Sequence, residues 1–351
     1  MDQFVCVRLV QANTIDLTLF QFDFDLTFAA FFMNADMTIY GRFGSRSDRK
    51  EAMKDMSMEG FQKALAAALD LHKSFPSNKA ALAGKRGRET RFKTPIEYPS
   101  LQGKYTQTLD YEGKVVQSCV HCHQVRDAEF LLVRNSQKPI PDEVLYAWPM
   151  PNTLGLELDA KEKATVARVA PGSSAERDGF KPGDVILTLN GQPLLSIADV
   201  QWVLQNAPAH GTVKAEVQRG AGKVARTLSL AEGWRKKAEI SWRATTWDLR
   251  RMAVGGLLLR ELTPEARREA KLSEDQLGLV VEHVGEYGDH AAAKKAGFQK
   301  GDILIDVDGQ TGRMSESLLF GYLLQNRMMG AQISVTVLRK GDRVKMELPM
   351  Q

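Results

Sequence analysis

Cysteine is scarce: three residues in 351 cannot build a disulfide framework. Cys6 stands alone in an apolar, strand-like run and is expected to be a small buried hydrophobe. Long apolar runs are also missing. The most apolar stretch, Leu26 to Ala35, falls far short of the ~20 residues of a transmembrane helix, and Asp23 and Asp25 interrupt it upstream. No basic segment followed by an apolar run and a cleavage site opens the sequence. Charge of one sign does not dominate, because 47 Lys and Arg against 43 Asp and Glu leave a net +4. No basic stripe is interleaved with aromatics, so a single-strand nucleic-acid groove is excluded. The one basic cluster, Lys85, Arg86, Arg88, Arg91 and Lys93, reads as a solvated linker. Hydrolase and nucleotide signatures are absent too. GKRGRET lacks P-loop spacing, PGSSAE (Pro171 to Glu176) reads as a turn, and Asp306 and Asp308 fall in a hairpin.

What remains is a globular composition, 43% hydrophobic and 26% charged, long enough for two or three domains. Its clearest feature is an internal repeat. DGFKPGDVILTLNGQ (Asp178 to Gln192) and AGFQKGDILIDVDGQ (Ala296 to Gln310) align without a gap at an offset of 118 residues. In each copy a Gly-Asp turn starts a strand, and Asn190-Gly191 or Asp308-Gly309 closes it as a hairpin. A helix should follow, from Ser196 to Gln205 and from Ser315 to Gln325, and then a last strand pair.

This element order resembles a PDZ domain, in the permuted bacterial arrangement of HtrA-type proteins, where the groove strand comes first. The resemblance implies domains over 151–233 and 234–351, small β-barrel-like sandwiches with helices. It also implies that protein C-termini or extended peptides add as a strand, the carboxylate being held by a glycine loop. The residues so placed are Leu154, Gly155 and Leu156, and in the second copy Gly255, Gly256 and Leu257. Val200, Val203 and Leu204, or Leu319, Tyr322 and Leu323, are candidates for the helical wall, although each is expected first as a core position. Trp234, Trp242 and Trp247 between the copies are expected to pack at the junction.

The first ninety residues differ. VCVRLVQ reads as a strand, TIDLTLFQFD as a short helix or loop, LTFAAFFMNADMTIYGRFG as a hairpin around Asn-Ala-Asp-Met, and SMEGFQKALAAALDLHKSF as an amphipathic helix. This order resembles the back half of a thioredoxin fold, with Thr27 in place and Leu26 where that family has its cis-proline. The fold class expected is therefore multidomain α+β: a partial thioredoxin-like domain over 1–90, a linker over 91–150, and two PDZ domains. Bacterial thioredoxin/PDZ (seleno)proteins combine these parts. Their first strand, first helix and CxxC or CxxU motif would lie upstream of Met1, so the chain is expected to be N-terminally incomplete.

The linker carries Cys119-Val120-His121-Cys122-His123. CxxCH is the attachment pattern of haem c: two thiols add to the porphyrin vinyl groups and the histidine ligates iron. Cys119, Cys122 and His123 would hold the haem, with Met150 a candidate distal ligand. A redox or soft-metal dithiol is the rival, and an unmodified loop the third reading. Four ligands within five residues do not suit one tetrahedral zinc site.

Two functions follow. One is an extracytoplasmic, periplasmic protein that binds peptides through tandem PDZ domains and carries a haem or thiol centre with a redox partner. The other is a thiol or selenol oxidoreductase whose active-site motif precedes Met1. No complete catalytic site is visible in the chain.

Overall fold

The computed structural model describes residues 2–47 and 52–351. They divide into two compact units, Met1–Leu132 with Tyr146–Ala238, and Val133–Leu145 with Glu239–Gln351. Both mix helices with antiparallel strands.

In the first unit, strands β1 (Ala30–Met33) and β2 (Ile39–Phe43) pair antiparallel, with Phe31 opposite Arg42. The turn is the expected one, Asn34 donating its N–H to Thr38 O at 2.9 Å. Helix α1 (Met58–Lys73) starts at Ser57, whose hydroxyl caps the Gly60 N–H. It buries Gly60, Ala64 and Ala68, spaced one turn apart. Ala64 and Ala68 join Phe32, Tyr40 and Phe43 of the hairpin in one cluster. The strand expected at VCVRLVQ does not form. Val5 and Val7 are 94% and 79% exposed, and no ladder pairs their backbone. An isolated strand has no partner for its donors and acceptors, and Cys6 is accordingly exposed rather than buried.

Lys85 overturns the reading of its segment as solvated. Its side chain is fully buried, with Nζ 3.0 Å from Asp199 Oδ1. Burial pushes the ammonium pKa down, and Asp199 opposes this. Arg86, Arg88, Arg91 and Lys93 are exposed, as expected. Helix α2 (Cys122–Asn135) begins inside the CxxCH pattern, at its second cysteine.

The first repeat copy then runs β3 (Leu156–Leu158), β4 (Val166–Val169), β5 (Val185–Leu189), β6 (Gln192–Pro193), α3 (Ile197–Gln205), β7 (Gly211–Arg219) and β8 (Gly222–Leu230). Strands pair as β3-β4 and β6-β5-β7-β8. Asn190 and Gly191 take φ of 47° and 77°, which fits the tight hairpin between β5 and β6. Ser196 caps α3. Val200, Val203 and Leu204 are buried with Leu156, Ile186 and Val213. Trp234 is buried in the same cluster and donates Nε1–H to Pro208 O.

In the second unit the copy runs α4 (Thr246–Val254), β9 (Leu257–Glu261), β10 (Leu279–Val284), β11 (Ile303–Val307), α5 (Glu316–Asn326), β12 (Gln332–Arg339) and β13 (Asp342–Pro349). Its strands form one sheet, β13-β12-β11-β10-β9. Leu319 and Leu323 are fully buried, whereas Tyr322 donates its hydroxyl to Asp308 Oδ2 at 2.8 Å. Trp247 is 41% exposed.

One clamp recurs in both copies. Asp184, the aspartate of the Gly-Asp turn just before β5, accepts from Arg219 Nε and Nη2, both at 2.7 Å. Asp302 accepts from Arg339 in the same way, again at 2.7 Å. The same arginines donate to Gly179 O and Gly297 O at 2.8 Å. The bidentate geometry pins the turn to the far end of the strand pair.

Candidate functional site

Antiparallel pairing determines which backbone groups of β3 and β9 face outward. Leu156 lies opposite Val169, and Ala170 donates its N–H to Gly155 O at 2.8 Å. Gly155 and Ala170 are thus a hydrogen-bonded pair, and Leu156 falls at the next, open position. Its N–H and C=O point away from β4. In the second unit Leu257 lies opposite Val284, and Gly285 donates to Gly256 O at 3.0 Å. Leu257 is turned outward by the same alternation. Among the described residues no strand pairs with the outer edge of β3 or β9.

The glycines before these strands are needed there. Gly155 and Gly256 both have φ of +90°, a conformation that side chains rarely adopt. A Cβ on Gly256 would lie 2.0 Å from His290 O, and one on Gly155 would lie 2.1 Å from Ser173 Cβ. The Gly155 amide closes the short turn Pro151–Leu154 by donating to Asn152 O, and the Gly256 amide closes α4 by donating to Arg250 O. Leu154, Leu156 and Leu257 direct their side chains into the cores, each at most 1% exposed. The backbone of these residues is covered as well, so a ligand strand would have to displace the neighbours that cover it.

The segments entering the two loops differ. In the first copy Tyr146–Met150 is a buried stretch lying along α3. Trp148 donates its N–H to Gln205 Oε1 at 2.6 Å and accepts from Gln201 Nε2 at 2.8 Å. A small pocket beside it is lined by Phe31, Arg42, Trp148, Ala198 and Gln201. Arg42 stacks over Trp202 at 3.8 Å, and burial pushes its pKa down to about 10. In the second copy the entering segment is the helix α4, which packs against both α5 and β9.

Sequence reasoning missed a buried ion pair there. Arg250 donates Nε–H to Glu316 Oε1 at 3.0 Å and Nη2–H to Glu316 Oε2 at 2.6 Å. Glu316 Oε1 also accepts the N–H of Leu259 on β9 at 2.8 Å. Burial pushes the Glu316 pKa up, against the pull of Arg250. The available signal was a charged residue at a position that is Ile197 in the first copy.

The thiol segment is built around Asn13. Its side chain donates to Ser118 O at 2.9 Å and accepts from Val120 N at 2.7 Å. Cys119 and Cys122 are free and partly buried. Burial, with Cys119 adding to it, pushes the Cys122 thiol up, so it stays protonated at neutral pH and is not an activated nucleophile. His123 Nδ1 lies 3.3 Å from Asp127 Oδ2, a contact that orients the imidazole ring. The donor set therefore fits c-type attachment: two free thiols three positions apart, then an imidazole oriented by a carboxylate. Cys122 borders an apolar cluster that includes Leu17, Phe24, Tyr98 and Val120. Met150 is buried in a different cluster, with Trp148 and Leu154. The structure brings Cys119, Cys122 and His123 together and does not bring Met150 to them.

The PDZ domain family model matches residues 165–219. A probable periplasmic serine endoprotease, DegP-like, from Marinomonas sp. (strain MWYL1) is 28% identical over 184 residues, 52% of this chain and 36% of its own length. The periplasmic serine endoprotease DegP of Escherichia coli (strain K12) is 28% identical over 155 residues, 44% of this chain and 28% of its own length. The chain thus spans about a third of the length of the curated relatives it matches. Among solved structures, the HtrA3 PDZ domain bound to a phage-derived ligand (FGRWV) is 27% identical, at a TM-score of 0.18 over 20% of this chain and 65% of that one. The HtrA-type protease AlgW with decapeptide is 19% identical, at a TM-score of 0.25 over 39% of this chain and 40% of that one. The chain carries a PDZ domain and is similar to periplasmic DegP-like proteases. Among the described residues, no helix is long and apolar enough to cross a membrane.

Proposed function

We propose that this chain is an extracytoplasmic protein that captures extended peptide segments or protein C-termini on the edge of β3 that no strand pairs with. The observation that carries this reading is Leu156, whose N–H and C=O face an unpaired edge directly after a left-handed glycine. That is the arrangement β-strand addition requires. The location is proposed from the relatives, which are described as periplasmic. A C-terminal peptide library with free and amidated carboxylates tests the reading. Free carboxylates should bind at least about tenfold more tightly, the worth of one charge-assisted hydrogen bond set. Equal binding of both forms would remove carboxylate capture.

A second reading, a c-type haem or a thiol redox centre at Cys119, Cys122 and His123, is supported by the imidazole held by Asp127 beside two free thiols. A bound haem would supply one-electron chemistry, and the chain's part would be to anchor it by two thiols and present the imidazole of His123. A pyridine haemochrome spectrum after co-expression with a c-haem maturation system decides it. A covalent band that shifts in Cys119→Ala is the expected result. An unshifted band of equal intensity excludes two thioethers, and no covalent haem leaves the dithiol reading.

A further inference from the structure

We propose that the second copy is closed to peptides by its own Arg250–Glu316 pair, so that peptide recognition falls to the first copy alone. The inference rests on the peptide-binding reading above and names which of the two edges carries it.

The argument begins with Leu259. An added strand pairs with alternate backbone groups of the edge strand, so a peptide on β9 that engages Leu257 must next engage Leu259. The Leu259 N–H is already donated to Glu316 Oε1 at 2.8 Å. Glu316 is the first residue of α5, so one side chain spans the gap between edge strand and helix. A peptide strand cannot occupy a gap that one glutamate bridges. Its entry would break the Leu259 bond and the two Arg250 bonds together.

The pair is built to persist. Arg250 is 3% exposed and Glu316 4%. Arg250 Nη2 also donates to Ser241 O at 3.0 Å, and its guanidinium lies 5.0 Å from the Trp247 ring centre. All the carboxylate's bonds are charge-assisted, which makes them the strong kind. Helix α4 adds an apolar cover, with Leu249, Met252, Ala253 and Val254 buried. Removing either charge alone would strand the other in the interior.

The first copy has no counterpart. After its N-cap serine, α3 begins with Ile197, which cannot hydrogen-bond a backbone amide. At the position of Arg250, six residues before the glycine, stands Pro149. Tyr146–Met150 engages α3 through Gln201 and Gln205.

The test uses the full chain, wild type and Arg250→Met/Glu316→Leu, a double change that keeps the volume and leaves no lone charge. The probe is a set of free-carboxylate peptides from a C-terminal display library screened on both the wild type and the double variant. Binding stoichiometry is measured by calorimetry, and hydrogen exchange is followed at β3 and β9. In the absence of peptide, Leu259 N–H should exchange at least about tenfold faster in the double variant. With peptide, the wild type should bind one equivalent and gain protection only at β3. The double variant should bind two and gain protection at β9 as well. Peptide-induced protection of β9 in the wild type would overturn the proposal. So would a cooperatively melting double variant that still binds one equivalent or shows unchanged Leu259 exchange. A wild type that binds no peptide, with Leu259 exchange accelerated as expected in the double variant, would refute the peptide-binding reading and leave the closure standing.

Discussion

In the first copy the helix beside the edge strand begins with Ile197; in the second it begins with Glu316. Around that difference the frame is shared. Both copies have the serine cap, the Gly-Asp turn, the bidentate arginine and the left-handed glycine before the edge. One position has gone from apolar to charged, and a second, Pro149 against Arg250, has supplied the countercharge. The comparison shows that a strand edge can be kept in shape while its ligand-facing amide is assigned to the protein itself.

The largest break in this comparison should come from Glu316→Ala. It leaves Arg250 buried without a countercharge and should cost about 3–5 kcal/mol in denaturant unfolding of the second unit. Arg250→Met/Glu316→Leu should recover most of that loss. Gly256→Ala should come next, at about 3 kcal/mol, because a strained φ adds to a clash with backbone. Gly155→Ala should cost less, since it meets the Ser173 side chain, and Ser173→Gly should rescue part of it.

The clamps offer a subtler contrast with pH. Burial would raise the Asp184 pKa, but Arg219 and the Lys181 amide overcome it and hold the carboxyl below its ordinary value. A depressed folded pKa stabilises fully above the unfolded value, and the contribution is lost as pH falls through the folded one. Asp184→Asn should therefore cost about 2 kcal/mol at pH 7 and flatten the acid limb of a stability–pH curve. The smallest effect is expected at the helix caps. Ser315→Ala should cost about 1 kcal/mol. Ser196→Ala should cost somewhat more, because Ser196 also donates its hydroxyl to Arg42 O at 2.5 Å. Thermal melts of both variants check this.

The repeat was legible because its signals are local. Gly-Asp turns, Asn-Gly or Asp-Gly hairpins and serine caps announce themselves within a few residues, and Ser196 and Ser315 start helices as read. The outward-facing backbone of Leu156 and Leu257 rests on their pairing with Val169 and Val284, which local sequence does not announce. The long-range partners were not legible. Arg219 and Arg339 close their clamps 35 and 37 residues from the aspartates, and Arg250 lies 66 residues from Glu316. Lys85 was misread for the same reason, since Asp199, which makes its burial tolerable, lies in another part of the sequence. VCVRLVQ failed the opposite way: its local pattern suits a strand, but no second strand pairs with it.

The burial of Lys85 also limits how the chain can be cut. Asp199 on α3 accepts from the backbone N–H of Arg42 and pairs with Lys85, while Trp202 donates Nε1–H to Gly84 O and lies under the Arg42 guanidinium. A fragment starting near residue 151 would contain every strand of the first repeat copy. It would also expose an indole and an aspartate that Arg42, Gly84 and Lys85 normally cover. The first copy is therefore not a portable module, and its ligand preferences have to be measured with those residues attached.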